Sequence, residues 1–326
     1  MTVMNRSLLY WVLGGTSFML LHSGCFGGKA PTMLPETQLR AETSLNRGIR
    51  AEKRGDGVAA EELLNRSLSI SSSIEDYPAR TTALINLARF YRQRHDLPKA
   101  ETCIDQAIAI TKTDSILYAE VAYEKALIEL VHERTATSLE WAQKAIAGEQ
   151  GDMLGSRLNL AARIQLARGM GKEAVELARK ALKENRSAGQ TEEEANSLRI
   201  LGIAARNEND FDRGAEFLQE ALQIDRKIGK SSKVAADLGE LAETARRAGK
   251  LKESVMFLER AYEVNRAAGR LGQAIENQES LAGVYSAAGE EQMAVRARET
   301  ARKLAVPDMI QQPGNSSATI NPSSRP

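Results

Sequence analysis

Small residues recur at fixed places, about every forty residues, over most of this chain, and that spacing restricts it to one kind of architecture. Three series run in step. The first is Gly48, Ala88, Ala126, Ala162, Gly202, Ala242 and Ala282. The second is Ala60, Ala100, Ser138, Ala174, Gly214, Ser254 and Ala294. The third is Ser67, Ala107, Ala145, Ala181, Ala221, Ala261 and Ala301. Where two helix axes cross closely there is no room beyond a methyl group, so a small side chain marks the crossing. Gly48, Ala88, Gly202, Ala221 and Ala261 represent these packing positions. Leu64, Ile104, Leu218 and Leu258 recur between them as a ridge of larger core residues.

The rest of the pattern reads as helix throughout. Between residues 36 and 306 only Pro78 and Pro98 interrupt an alanine-rich stretch. Gly55, Gly169, Gly249 and Gly289 stand where a first helix would end in a left-handed cap. Asp56, Asp96 and Asp210 are placed to cap the second helix. Pro98 falls in a first turn, where a missing N–H is tolerated. A unit of this size cannot bury its apolar face alone, so neighbours must stack.

The clearest units are LGIAARNENDFDRGAEFLQEALQIDRKIG at 201–229 and LAETARRAGKLKESVMFLERAYEVNRAAG at 241–269. They resemble the tetratricopeptide repeat, whose pattern has small residues at its eighth, twentieth and twenty-seventh places, matched here by Gly202, Gly214 and Ala221 in the first unit and by Ala242, Ser254 and Ala261 in the second. The resemblance implies an all-α, right-handed superhelical solenoid of about seven helix-turn-helix repeats. Most repeats here span 40 residues against the family's usual 34, and the surplus is expected to lengthen the helices. The third repeat carries Lys125 and Glu129 where apolar residues are usual. The seventh carries Arg298 and is expected to close the stack with a solvated face.

The two ends differ from the array. Residues 1–24 have the layout of an export signal, with Arg6 followed by an uncharged, largely apolar run from Leu8 to Leu21. That run is shorter than the roughly 20 residues that span a bilayer as a helix. LHSGC at 21–25 resembles the lipobox of bacterial lipoproteins, although His22 stands where an apolar residue is usual. The resemblance implies lipidation of Cys25 and, with Phe26 rather than Asp next, an outer-membrane lipoprotein facing the periplasm. An uncleaved N-terminal anchor in the inner membrane is the alternative. Residues 25–35 would then be a tether, 36–306 the array, and the Pro/Ser/Asn-rich 307–326 a disordered tail.

Charge and composition exclude several functions. Lys and Arg total 44 and Asp and Glu 43, a formal net charge of +1. Arg6 supplies that excess, so the chain from Cys25 onward is neutral and does not read as a nucleic-acid binder. Two cysteines and three histidines leave little for a metal site. His95 and His132 sit at helix ends without a second ligand at metal spacing. The acidic run 192–194 opens a helix, where it complements the dipole. GDMLGS at 151–156 lacks the Lys-Ser/Thr of a phosphate loop. Trp141 and Cys103 read as core. No catalytic residue, metal or cofactor is assigned.

In the family that the repeats resemble, first helices line a concave groove. Mapped onto this chain, repeats two, four and five supply Asn86, Arg89, Arg92, Asn159, Arg163, Arg199 and Arg206. Repeats three, six and seven supply Glu120, Glu124, Glu240, Glu243, Glu276 and Glu279. Asn can bond a peptide backbone and Arg can fork onto carboxylates, so acidic segments of protein partners are the expected ligands. A solvated face of alternating charge is the competing reading. The function expected is a non-enzymatic scaffold, lipid-anchored in the periplasm, supporting assembly of an envelope complex in secretion, pilus or cell-wall machinery. A regulator that responds to a peptide or glycan is the alternative.

Overall fold

The computed structural model describes residues 35–305. The expected export signal at 1–24, Cys25, the expected tether up to residue 34 and the expected tail all lie outside the described residues.

Those residues form fourteen helices and no strand. They run as seven hairpins: α1 (Glu36–Lys53) with α2 (Gly57–Ser73), α3 (Tyr77–Gln93) with α4 (Leu97–Ile110), α5 (Tyr118–Val131) with α6 (Thr135–Ala147), and α7 (Leu154–Ala167) with α8 (Gly171–Ser187). The series continues with α9 (Thr191–Asn207) and α10 (Phe211–Lys227), α11 (Ser231–Arg247) and α12 (Leu251–Ala267), and α13 (Leu271–Ala287) and α14 (Glu291–Ala305). Each helix packs on its partner and on the next hairpin, and successive first helices also touch. This is the one-dimensional stacking of a solenoid. From α8 to α13 every helix has 17 residues, so the long repeat does lengthen its helices.

Every member of the three small-residue series is buried, Gly48, Ala88, Gly202, Ala221 and Ala261 among them. At the crossing of α9 and α10 two glycines face each other. A Cβ on Gly202 would sit 3.0 Å from the Gly214 carbonyl oxygen, and one on Gly214 would sit 3.1 Å from the Gly202 carbonyl oxygen. Apolar side chains fill the spaces between crossings; Leu218, Leu238, Leu241 and Ala261 form one such cluster.

The turns follow the capping chemistry. The N–H groups of Ala59, Lys99 and Arg213 donate to the carboxylates of Asp56, Asp96 and Asp210. Asp76 caps α3 in the same way, a position the sequence reading passed over. Gly55, Gly169, Gly249 and Gly289 end first helices at φ between 75° and 81°.

Where the repeat pattern is broken, the polar intruders satisfy one another. Lys125 Nζ lies 3.1 Å from Glu129 Oε1 and 2.9 Å from Asp105 Oδ1. Glu129 also meets Arg134 at 3.3 Å. Arg298 is solvated on α14 and pairs with Glu291. Trp141 and Cys103 are half-buried rather than deep in the core. Lys144 stacks over the Trp141 ring, and burial pushes the Cys103 thiol up to about 11.

Candidate binding groove

First helices α5, α7, α9 and α11 line a cavity of about 540 Å³ open to solvent. Tyr123 comes from α5, and Ser156, Asn159, Leu160, Arg163 and Leu166 from α7. Glu193, Asn196, Arg199, Ile200, Ile203 and Asn207 come from α9, and Lys233, Ala236 and Glu240 from α11. Apolar side chains such as Leu160, Ile200 and Ile203 share the lining with the polar and charged ones.

The structure does not gather the sequence-selected residues into one free cationic cluster. Asn159, Arg163 and Arg199 line the cavity; Asn86, Arg89, Arg92 and Arg206 do not. Asn86 donates to the Thr82 carbonyl of its own helix. Arg89 Nη2 donates to Glu120 Oε1 at 2.6 Å, and Arg92 Nε to Glu124 Oε1 at 2.6 Å. Glu124 is fully buried, and Glu120 also receives Arg157. Burial would raise the Glu120 carboxyl, but Arg157 and Arg89 outweigh it and hold the group below its ordinary value. Arg206 donates to Glu240 Oε2 at 2.6 Å. Arg199 is held by two aspartates, Nε donating to Asp237 Oδ1 at 2.6 Å and Nη2 to Asp225 Oδ2 at 2.5 Å. Four of the five arginines are therefore tied to carboxylates of their own array. Their partners include Glu120, Glu124 and Glu240, which the sequence had placed in a separate acidic patch.

Asn159 is also occupied. Its amide donates to the Glu193 carbonyl and carboxylate, both at 2.9 Å, and its oxygen accepts from Ser197 Oγ at 2.7 Å. Arg163 is different: it is exposed and meets no carboxylate among the described residues. A second cation beside it escaped the sequence reading. Lys233 Nζ donates to Asn196 Oδ1 at 3.2 Å and has no carboxylate partner among the described residues. Burial lowers its pKa, and Arg199 and Arg163 push it lower still. Glu193, Asn196 and Lys233 all lie in the first two turns of α9 and α11. Glu193 and Lys233 precede the first place of the shorter family pattern, and Asn196 stands at its second place. The forty-residue period was the available signal, because longer helices must add groove positions at their ends.

No helix among the described residues is long and apolar enough to cross a membrane. No group of three His, Cys, Asp or Glu among them could hold a metal ion.

A family model described as tetratricopeptide repeat matches residues 39–113 and 193–267. No curated protein matches the chain in sequence. Solved structures share the fold. A Rap protein complexed with competence and sporulation factor is 15% identical, with a TM-score of 0.64, covering 82% of this chain and 77% of that one. A signal-transduction ATPase with a tetratricopeptide-repeat sensor from Pyrococcus horikoshii is 17% identical, with a TM-score of 0.61, covering 81% of this chain and 42% of that one. The Cut9–Hcn1 hetero-tetramer of the APC/C is 13% identical, with a TM-score of 0.57, covering 82% and 51%.

Proposed function

For a chain built of tetratricopeptide repeats, as this one is, we propose a protein-interaction scaffold that holds an acidic peptide segment in the α5–α11 groove. One observation carries the reading. Arg163 and Lys233 line the same cavity without carboxylate partners among the described residues, while the neighbouring arginines are internally paired. Burial, and then repulsion from Arg199 and Arg163, depress the Lys233 pKa, and a bound carboxylate would offset both. Asn196 and Asn207 lie on the same wall and offer amide groups to an extended backbone. The Rap protein that shares the fold was solved with a bound factor, which fits a ligand-holding array.

Reversing both cations tests the groove. Arg163→Glu with Lys233→Glu is expected to weaken capture of a short acetylated, fluorescein-labelled Asp/Ala peptide by at least roughly tenfold in anisotropy titrations. The thermal midpoint should move little, because neither side chain serves an internal ion pair. Equal capture by the double variant would sink the acidic-segment reading.

The scaffold's place in the cell is the second part of the proposal. Cys25 is the acceptor of a lipid anchor that holds the array at the periplasmic face of the outer membrane, where it supports assembly of an envelope complex. The LHSGC segment supports this. Cys25→Ser is expected to move the protein from the membrane pellet to the soluble periplasmic fraction. A variant that still pellets with membranes would point instead to the uncleaved inner-membrane anchor.

A further inference from the structure

Three candidates stand outside the proposed ligand contacts: the apolar rim at Tyr77 and Leu117, the acidic end of the groove at Glu276, and the carboxylates behind Arg199. Only the last is a closed set of groups with a defined chemical requirement. Asp225 closes α10 and Asp237 lies on α11, so the two meet across the junction between the fifth and sixth repeats. Both are 0% exposed. Arg199 reaches in from α9 and donates to one oxygen of each. The remaining oxygens, Asp225 Oδ1 and Asp237 Oδ2, are buried without another partner, and the adjacent Nε and Nη2 of one guanidinium hold the two carboxyls side by side.

Two ionised carboxylates cannot face each other there. Each would present an acceptor to an acceptor, and one guanidinium would leave a buried net charge. A single proton between them solves both problems. It makes one carboxyl a donor and renders the triad neutral.

We infer that Asp225 and Asp237 hold one shared proton at neutral pH, and that this proton locks the junction of repeats five and six and tunes the groove beside it. Burial pushes Asp237 up to about 7 against the pull of Arg199, with Asp225 adding to the rise. Other charges stand close by. Lys233 lies one turn before Asp237 on α11 and feels Arg199, Arg163, Glu192 and Glu193. Lys230 pairs with Glu192 and feels Asp225. Losing the proton changes the triad from neutral to negative directly behind Lys233. An acidic ligand should then bind less tightly, a consequence that rests on the proposed groove. The folded chain holds the proton between the unfolded aspartate value and about 7. Over that window the pair's contribution to stability falls as pH rises, and above it the loss is complete.

Carboxyl carbon-13 NMR of the unliganded chain tests the proton itself. One aspartate pair is expected to titrate near neutrality in the wild-type chain and to vanish from that range in Asp237→Asn. The amide of that variant donates where the proton did. It should therefore match the wild-type melting midpoint at pH 5 and exceed it by roughly 5 °C at pH 8. A wild-type chain with every aspartate titrating below pH 5 would overturn the inference, whether or not the variant folds. So would a midpoint difference independent of pH. The groove is read separately by calorimetry with the same acetylated Asp/Ala peptide without its label, whose side chains do not titrate between pH 6 and 8. Wild type should lose about fivefold in affinity over that interval and Asp237→Asn clearly less, since Lys233 is common to both. Failure of capture at every pH would strike the groove reading alone and leave the titration standing.

Discussion

Gly214→Val is expected to destabilise the array by about 3 kcal/mol, among the larger effects a single side chain can have here. The α9–α10 crossing brings two glycines back to back. A Cβ at Gly214 would lie 3.1 Å from the Gly202 carbonyl oxygen and 3.2 Å from the Arg206 nitrogen. Both obstacles are backbone, so no rotamer change can admit the added carbons. The hairpin must splay, and splaying opens the Leu218 packing that Gly202 also touches. Because a solenoid's repeats contact only their neighbours, the damage should be local at first. Hydrogen exchange should show α9 to α12 losing protection while α1 to α4 keep theirs. Gly239→Ala supplies the contrast. Its Cβ would meet nothing within 4 Å, so on α11 it should gain roughly 0.5–1 kcal/mol from helix propensity. Urea midpoints for the two variants should therefore move in opposite directions. A Gly214→Val chain as stable as wild type would mean that the crossing is looser than its geometry.

That crossing was legible in the sequence, as were the hairpins, because both are local. A small residue at a fixed place, a glycine after a helix and an aspartate before one each act within a few residues of themselves. The groove was legible only as a set of positions. Arg89 and Glu120 were both assigned to it, but as members of opposite patches, and they stand 31 residues apart. Arg206 and Glu240 stand 34 apart, and Arg199 and Asp237 stand 38 apart. Each separation is close to one repeat, so the charges cancel between neighbouring repeats. An even charge count is compatible with that pairing and with an open charged surface alike. The junction polar pairs escaped for a related reason. Glu149 with Arg157, Asn185 with Ser197 and Asn265 with Asn277 share the register of Asp225 and Asp237, but each pair has its own chemistry. A search for recurring residue types passes over a recurring position whose residues differ.

Arg199→Ala should be the other severe substitution, and its effect should depend on pH. Among the described residues the guanidinium is the only cation donating to the Asp225 and Asp237 carboxylates, and both are fully buried. Removing one partner of a buried ion pair typically costs about 3–5 kcal/mol, because the charge left behind is neither solvated nor neutralised. At pH 8 the variant should lose that much. As pH falls toward 5, the stranded carboxyls can take up protons from solvent, and the deficit should shrink. Asp237 already sits near 7 with Arg199 in place, so without it the uptake should begin at higher pH still. Asp225→Asn with Asp237→Asn in the Arg199→Ala background should restore most of the loss at pH 8, since no buried charge then remains. Urea unfolding at the two pH values separates this from a simple packing defect, which would cost the same at both. The result also dictates how the groove can be probed. Exchanging Arg163, Arg199 and Arg206 together for Ala would abolish binding by unfolding the fifth and sixth repeats, whatever the ligand. Arg163→Ala alone should stay within about 0.5 kcal/mol of wild type. An Arg199→Ala chain with wild-type stability at pH 8 would show that the aspartates are held by something other than this guanidinium.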